Sequence, residues 1–293
     1  MEKIHTPVLL QESLKSLNIK PDGFYIDCTL GDGGHSSEIL KKLSDKGLLL
    51  SIDYDQHALD FVKQYYHQQQ NWIVKRENFS KIDALIKEIK RNPDGILMDL
   101  GLSSRQLENS FNRGFSYLEE NESLDMRMDE RLGVKASDLL NALSTKQLTE
   151  LFKEYGEEKY AKRIAEAVKN SDKRIETVED LTRLIYGEVP AGTHDFKNPS
   201  RRVFQALRIV VNDELNSLKE GLNKSFEILK KEGRISVITF HSLEDRIVKN
   251  FFNDLARRGR GELLFSKAIA PTDKEIKQNP RSSSAKLRTI IKT

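Results

Sequence analysis

Short apolar runs and amphipathic stretches take turns through the first hundred residues. The runs "FYIDCT" (24 to 29), "GLLLSID" (47 to 53), "NWIVKREN" (71 to 78) and "DGILMDLG" (94 to 101) predict four strands. Helical spacing fills the gaps at 36 to 44, 55 to 67 and 80 to 91. In the last of these Ile82, Leu85, Ile86 and Ile89 share a face, Ser80 is placed to cap the start, and Pro93 stops the pattern. Alternation of this kind predicts an α/β fold with a mostly parallel sheet covered by helices on both faces.

The pattern changes after about Arg105. A loop-like stretch, "NSFNRGFSYLEENESLDMRMDERLG", leads into helical patterns at 136 to 155, 157 to 170 and 177 to 186, with Thr177 and Asp180 spaced as a capping box. A long helix is predicted over 200 to 231, where Phe204, Leu207, Val211, Leu215, Leu218, Leu222, Phe226 and Leu229 recur every three or four residues as a packing seam. Strand character returns only at "GRISVITF" (233 to 240). "ELLFSKAIA" and "KLRTIIKT" then read as two closing strands joined by the turn-rich "PTDKEIKQNPRSSSA". The expected architecture is a discontinuous α/β domain, 1–106 plus 214–293, interrupted by a helical insertion over 107–213.

Composition changes this picture little. The chain of 293 residues, 38% hydrophobic, can bury a sizeable core, and it shows neither a membrane-length apolar run nor a secretory start. A cytoplasmic location and no membrane partner are expected. Cys28 is the only cysteine, which excludes an internal disulfide and a thiolate metal cluster, and no metal cage is expected. The net charge of +3 is unevenly placed. From Arg246 onward twelve Lys and Arg face four Asp and Glu, a local +8 that leaves the remainder at −5 and suits a polyanionic partner or a solubilising surface.

Candidate chemistry gathers at the first strand-to-helix turn, "TLGDGGHS", where ligands bind in doubly wound sheets. Gly31, Gly33 and Gly34 let the main chain bend tightly or lie against a ligand. Asp53, about twenty residues on at the end of the second strand, is placed to accept hydrogen bonds from two ribose hydroxyls, or else to cap the helix that follows. The dinucleotide fingerprint and the Walker loop are both absent. The antiparallel terminal pair and the form of the first loop point instead to S-adenosylmethionine.

Seven segments then resemble one family, in order and over nearly the whole chain. "HTPVLLQESL", "DCTLGDGGHS", "DGILMDLGLSSRQL", "SLDMRMD", "FQALRIVVNDEL", "ITFHSLEDRIVK" and "NPRSSSAKLR" are similar to segments of the bacterial small-subunit ribosomal RNA (cytosine-N4)-methyltransferases, the RsmH/MraW family. The resemblance implies a class I S-adenosylmethionine-dependent methyltransferase, with a Rossmann-like seven-stranded sheet and an inserted helical domain. The implied substrate is the exocyclic N4 amine of a cytosine in the decoding centre of 16S ribosomal RNA, within the small subunit or a late assembly intermediate. The oligomeric state, a homodimer among the options, is left open. By the same resemblance the cofactor contacts are Gly33, Gly34, His35, Asp53, Phe79, Asp99 and Gln106.

The amine nucleophile needs hydrogen-bond acceptors and an eventual proton acceptor. Many amino-methyltransferases carry a [DNS]-P-P-[YFW] loop after the fourth strand, but this chain reads "DLGLSS" there. Asp99 and the carbonyls of Leu100 and Gly101 are the acceptors expected, ahead of Ser103 and Ser104. His241 in "FHSLEDR" is a candidate proton relay; Glu244 and Asp245 could hold a base or cap the next helix, for which Ser242 with Asp245 has the better spacing; His5 suits a loop anchor. For RNA, Arg201, Gln205, Arg208 and Asn212 fall on one helical face, and Arg281 and Arg288 with Arg257, Arg258, Arg260 and Lys286 offer phosphate contacts from the tail. The competing readings are a DNA or small-molecule amino-methyltransferase, an RNA-binding assembly factor and a nicotinamide oxidoreductase.

Overall fold

Each of the four apolar runs in the first hundred residues forms a strand: β1 (Phe24–Asp27), β2 (Leu48–Asp53), β3 (Trp72–Arg76) and β4 (Gly95–Asp99). The computed structural model describes residues 7–67, 69–108, 110–190 and 198–293, so His5 lies outside the described residues. β5 (Arg234–Thr239) extends the parallel set beside β4. β7 (Lys286–Lys292) runs antiparallel to β5, and β6 (Gly261–Leu263) antiparallel to β7. The order β3-β2-β1-β4-β5-β7-β6 makes a mostly parallel seven-stranded α/β sheet, as the sequence pattern and the resemblance led us to expect.

The chain separates into two units, residues 1–101 with 215–293, and residues 102–214. In the first, strand alternation deals side chains to two cores. Phe24 and Ile26, Leu50 and Ile52, and Ile96 and Met98 face one side, with Ile82 of α4 (Ile82–Ile89), Leu218, Leu222 and Phe226 of α11 (Glu214–Ile228), and Val248 and Phe252 of α12 (Ser242–Arg257). Tyr25, Leu49 and Leu97 face the other. There they meet Leu14 and Leu17 of α1 (Leu10–Leu17), Ile39 of α2 (Gly34–Leu40), and Phe61 and Val62 of α3 (Gln56–Tyr65). Burial on both faces is why these strands read as apolar runs. α3 is capped by Asp55, and the turn before α4 by Asn78 rather than by Ser80, whose N–H is the group capped.

The second unit holds α5 (Ser104–Glu108), α6 (Ala136–Ala142), α7 (Thr145–Gly156), α8 (Ala161–Lys169), α9 (Val178–Glu188) and α10 (Ser200–Val211). α7 packs on α8 and α10, and a Cβ at Gly156 would stand 2.6 Å from the Arg202 carbonyl. The stretch expected as one helix over 136 to 155 is two, because Ser144 and Gln147 cap a new start reciprocally. The Thr177 and Asp180 capping box is present as expected. "SLDMRMD" forms no regular element. It buries Leu124, Met126 and Met128, while Asp125 and Asp129 pair with Arg127 and Arg131.

The stripe from 200 to 231 is likewise not one helix. α10 ends at Val211, Asp213 takes a left-handed φ of 48°, and α11 begins at Glu214. The buried Asn212 side chain turns inward, accepting the Met128 N–H at 2.8 Å and donating to the Met126 carbonyl at 2.8 Å. β6 (three residues) overlaps the strand expected at 262 to 270 only at Glu262 and Leu263, with an isolated bridge from Ile269 to Leu287 beyond it. The turn-rich segment after it contains a short helix, α13 (Asp273–Gln278), capped by Thr272. Among the described residues no helix is long and apolar enough to cross a membrane.

Candidate functional site

The turn after β1 is glycine because its backbone leaves little alternative. Gly31 and Gly33 have φ of 49° and 78°, a region that strains side-chain-bearing residues. A Cβ at Gly33 would lie 3.0 Å from the Tyr66 ring and 3.1 Å from Val62, and one at Gly34 would meet Pro7 at 2.4 Å. The turn thus lies directly against its neighbours.

Asp53 holds this turn in place. Its Oδ2 accepts the Gly31 N–H at 2.9 Å and its Oδ1 accepts the Asp55 N–H at 3.0 Å. The α3 cap is therefore Asp55, which accepts the His57 N–H, and not Asp53. Burial pushes the Asp53 carboxyl up to about 7 against the pull of the two N–H donors. Each oxygen keeps a further lone pair for a hydroxyl.

Asp99 ends β4 close by. Its N–H donates to Thr29 Oγ1 at 2.7 Å, and its Oδ2 lies 3.5 Å from Nε2 of the buried His35. Burial alone would lower the imidazole, but the Asp99 and Asp27 carboxylates and the Val8 carbonyl together raise it above its ordinary value. Asp99 Oδ1 and both His35 ring nitrogens are buried without completing a hydrogen bond among the described residues. Such atoms are costly unless a ligand satisfies them. A cofactor carrying hydroxyl, amino and carboxylate groups fits these donors and acceptors. Phe79 lies in the turn before α4, where a Cβ on Gly221 would come within 2.5 Å of its ring, so the ring belongs to the core.

Two expectations for "FHSLEDR" are corrected. The N-cap of α12 is His241 and not Ser242, and the reciprocal partner is Glu244 and not Asp245. His241 Nδ1 faces the Glu244 N–H at 3.4 Å, while Nε2 lies 3.1 Å from Glu244 Oε1. Nδ1 is turned to the helix amide, while the buried Nε2 stands beside the Glu244 carboxylate without completing a hydrogen bond among the described residues. Asp245 instead binds Arg288 and Lys286.

The RNA face is also redrawn. Asn212 is buried and its amide is spent on Met126 and Met128, so it presents nothing to RNA. Arg208 pairs with Glu214 at 2.8 Å, and Gln205 donates to the Tyr155 carbonyl at 3.2 Å. Arg288 is held by Asp245, while Arg257 and Arg258 pair with Asp254 and Arg260 with Glu227. Arg281 is exposed and Arg201 half-buried. Gln106 lies in the second unit, where its Oε1 accepts the Ser103 N–H at 2.9 Å.

Sequence reasoning passed over Asp27, Thr29, Ser36 and Ser51. Thr29 N–H donates to Asp27 Oδ1, and Ser36 Oγ to Asp27 Oδ2, behind the glycine turn. Their one signal is that small polar residues interrupt otherwise apolar, fully buried positions.

Relatives of the chain share its full length. It is 43% identical over 310 residues to the ribosomal RNA small subunit methyltransferase H of Clostridium botulinum (strain Loch Maree / Type A3), covering 100% of both chains. It is 44% identical over 306 residues to the protein of that name from Caldicellulosiruptor saccharolyticus, covering 98% of this chain and 99% of the relative. A third, from Fusobacterium nucleatum subsp. nucleatum, is 44% identical over 313 residues, with 99% and 98% covered. The MraW methylase family matches residues 2–293, and the chain belongs to that family.

Proposed function

We propose that the protein methylates the exocyclic N4 amine of a cytosine in the decoding centre of 16S ribosomal RNA during maturation of the small subunit. The observation that carries this reading is full-length similarity to proteins named ribosomal RNA small subunit methyltransferase H. The methyl donor is S-adenosylmethionine, which supplies a methyl group already made electrophilic by its sulfonium. Gly33 and Gly34 shape the turn that lies against it, Asp53 accepts from its ribose, and His35, Asp99 and the turn at Phe79 complete the contacts.

Catalysis then rests on orienting a weak nucleophile. The N4 lone pair is delocalised into the ring, so acceptors that bind the amine favour its reacting, pyramidal form. Asp99 carries the fitting atom, since its buried Oδ1 makes no hydrogen bond among the described residues. Gly101 follows with φ of 97°, and a Cβ there would touch the Phe240 ring at 3.5 Å. Reaching a stacked base costs about a few kcal/mol, which RNA contacts must supply. Exposed tail cations such as Arg281, with Arg201 of α10, are the phosphate contacts in this reading.

Labelled S-adenosylmethionine incubated with small subunits from cells lacking the activity tests the reading. Label on a cytosine N4 supports it. Transfer to another base or to DNA would leave a methyltransferase of different substrate, and no transfer to subunits or to free RNA would refute it.

A further inference from the structure

Behind the glycine turn, four buried side chains form one line of hydrogen bonds. Trp72 Nε1 donates to Ser51 Oγ at 2.8 Å, Ser51 and Ser36 hydroxyls meet at 2.7 Å, and Ser36 Oγ donates to Asp27 Oδ2 at 2.7 Å. Asp27, Ser36 and Ser51 are fully buried, and Trp72 nearly so. The line crosses β3, β2, α2 and β1.

Its direction is fixed at both ends. An indole N–H can only donate and a carboxylate can only accept, so each hydroxyl must accept from the Trp72 side and donate toward Asp27. Ser36 adjoins His35, and the other Asp27 oxygen accepts the N–H of Thr29, whose hydroxyl accepts from Asp99. One carboxylate therefore anchors the segments that carry both His35 and Asp99.

We propose that Asp27 is a positioning residue for the cofactor turn, its carboxylate setting a one-way hydrogen-bond line from Trp72 that holds His35 and Asp99 in register. It touches no reacting atom. The inference rests on reading this turn as the S-adenosylmethionine site. Protonating Asp27, or making it an amide, puts a donor against either the Thr29 N–H or the Ser36 hydroxyl, and the line must break or reverse. Burial holds the Asp27 carboxyl at about 6, so this break falls within an accessible pH range. The other titrating groups facing Asp27 are His35 from α2, Asp99 from β4 and Asp53 from β2.

The test uses the full chain with Asp27→Asn and Ser51→Ala. S-adenosylmethionine affinity is measured by calorimetry from pH 8 down to about 5. Emission of Trp72, the only tryptophan, is followed over the same range. Each variant is expected to weaken affinity about tenfold at pH 8. The wild type should lose affinity as pH falls through 6 with a matching change in Trp72 emission; Asp27→Asn should blunt both changes, and Ser51→Ala, which keeps Asp27 but cuts its link to Trp72, should uncouple the emission change from the loss of affinity. Ser51→Ala keeps the carboxylate and serves if Asp27→Asn does not fold. Wild-type affinity and emission profile in folded Ser51→Ala would overturn the proposal while leaving the cofactor site intact. A wild type that binds no S-adenosylmethionine would overturn the cofactor reading and this inference with it.

Discussion

Arg288 of β7 is held by Asp245 in the first turn of α12, with Nε 2.7 Å from Oδ1 and Nη2 3.3 Å from Oδ2. Lys286 adds a third contact at 3.1 Å. Burial opposes the charge on Asp245, but its two cations hold the carboxyl below the ordinary carboxylate range. The stability this contributes is present above the unfolded pKa and lost as pH falls through the lower folded one, in acid below about 4. Asp245→Ala should destabilise the protein by about 2 kcal/mol at pH 7 and less in stronger acid. Urea unfolding at several pH values checks this, and a loss that did not shrink in acid would contradict it.

Asn212→Ala should cost about 2–4 kcal/mol, because it leaves the Met128 N–H and Met126 carbonyl buried and unpaired and opens a small cavity. Asn212→Asp should cost as much, since a carboxylate meets the Met126 carbonyl. The readout is urea unfolding, with S-adenosylmethionine affinity followed in parallel. Loss of RNA affinity in a variant of unchanged stability would return Asn212 to the RNA surface.

Asp27, Asp53 and His35 all have raised folded-state pKa values, so between pH 5 and 8 the folded state binds more protons than the unfolded chain. The ligand-free protein should therefore lose stability as pH rises through that range. Thermal unfolding at pH 5, 6.5 and 8 measures the slope. Asp53→Asn should flatten it and weaken cofactor binding at least about tenfold through lost ribose hydrogen bonds. An unchanged slope together with unchanged affinity would dismiss both roles.

Gly33→Ala forces an L-residue to φ of 78° with its Cβ 3.0 Å from Tyr66. A stability loss of about 1–2 kcal/mol is expected, with weaker cofactor binding. Differential scanning calorimetry with and without S-adenosylmethionine separates the two effects. A variant as stable and as responsive to ligand as the wild type would show that the turn has room to spare.

Much of the sheet was legible because doubly buried strands leave unmistakable apolar runs, as at Phe24 to Asp27 and Gly95 to Asp99. The break at Asn212 was not. An apolar stripe keeps its period across a two-residue interruption when both halves bury it, and the groups that turn Asn212 inward lie more than eighty residues away. The same limit hid the ion pairs. Arg208 and Arg288 look solvent-facing in the chain, and their partners Glu214 and Asp245 become neighbours only through folding. At "FHSLEDR" several adjacent residues can cap a helix, and local pattern does not decide among them. For the site, the glycines and Asp53 announced themselves by residue type and interval. The polar line behind them did not, because a serine in an apolar run looks like a tolerated substitution until its partner on the next strand is seen.

The first unit is assembled from two stretches, 1–101 and 215–293, and this orders events during synthesis. When the ribosome has delivered β4, that strand has one open edge and one incompletely covered face, since β5 and the α11 side chains Leu218, Leu222 and Phe226 are still unmade. More than a hundred residues must emerge before the sheet can close. The nascent N-terminal half is thus a sticky intermediate with an unpaired strand, the species that chaperones and edge-to-edge aggregation compete for. For this chain, yield will depend on how quickly the intervening helices are translated.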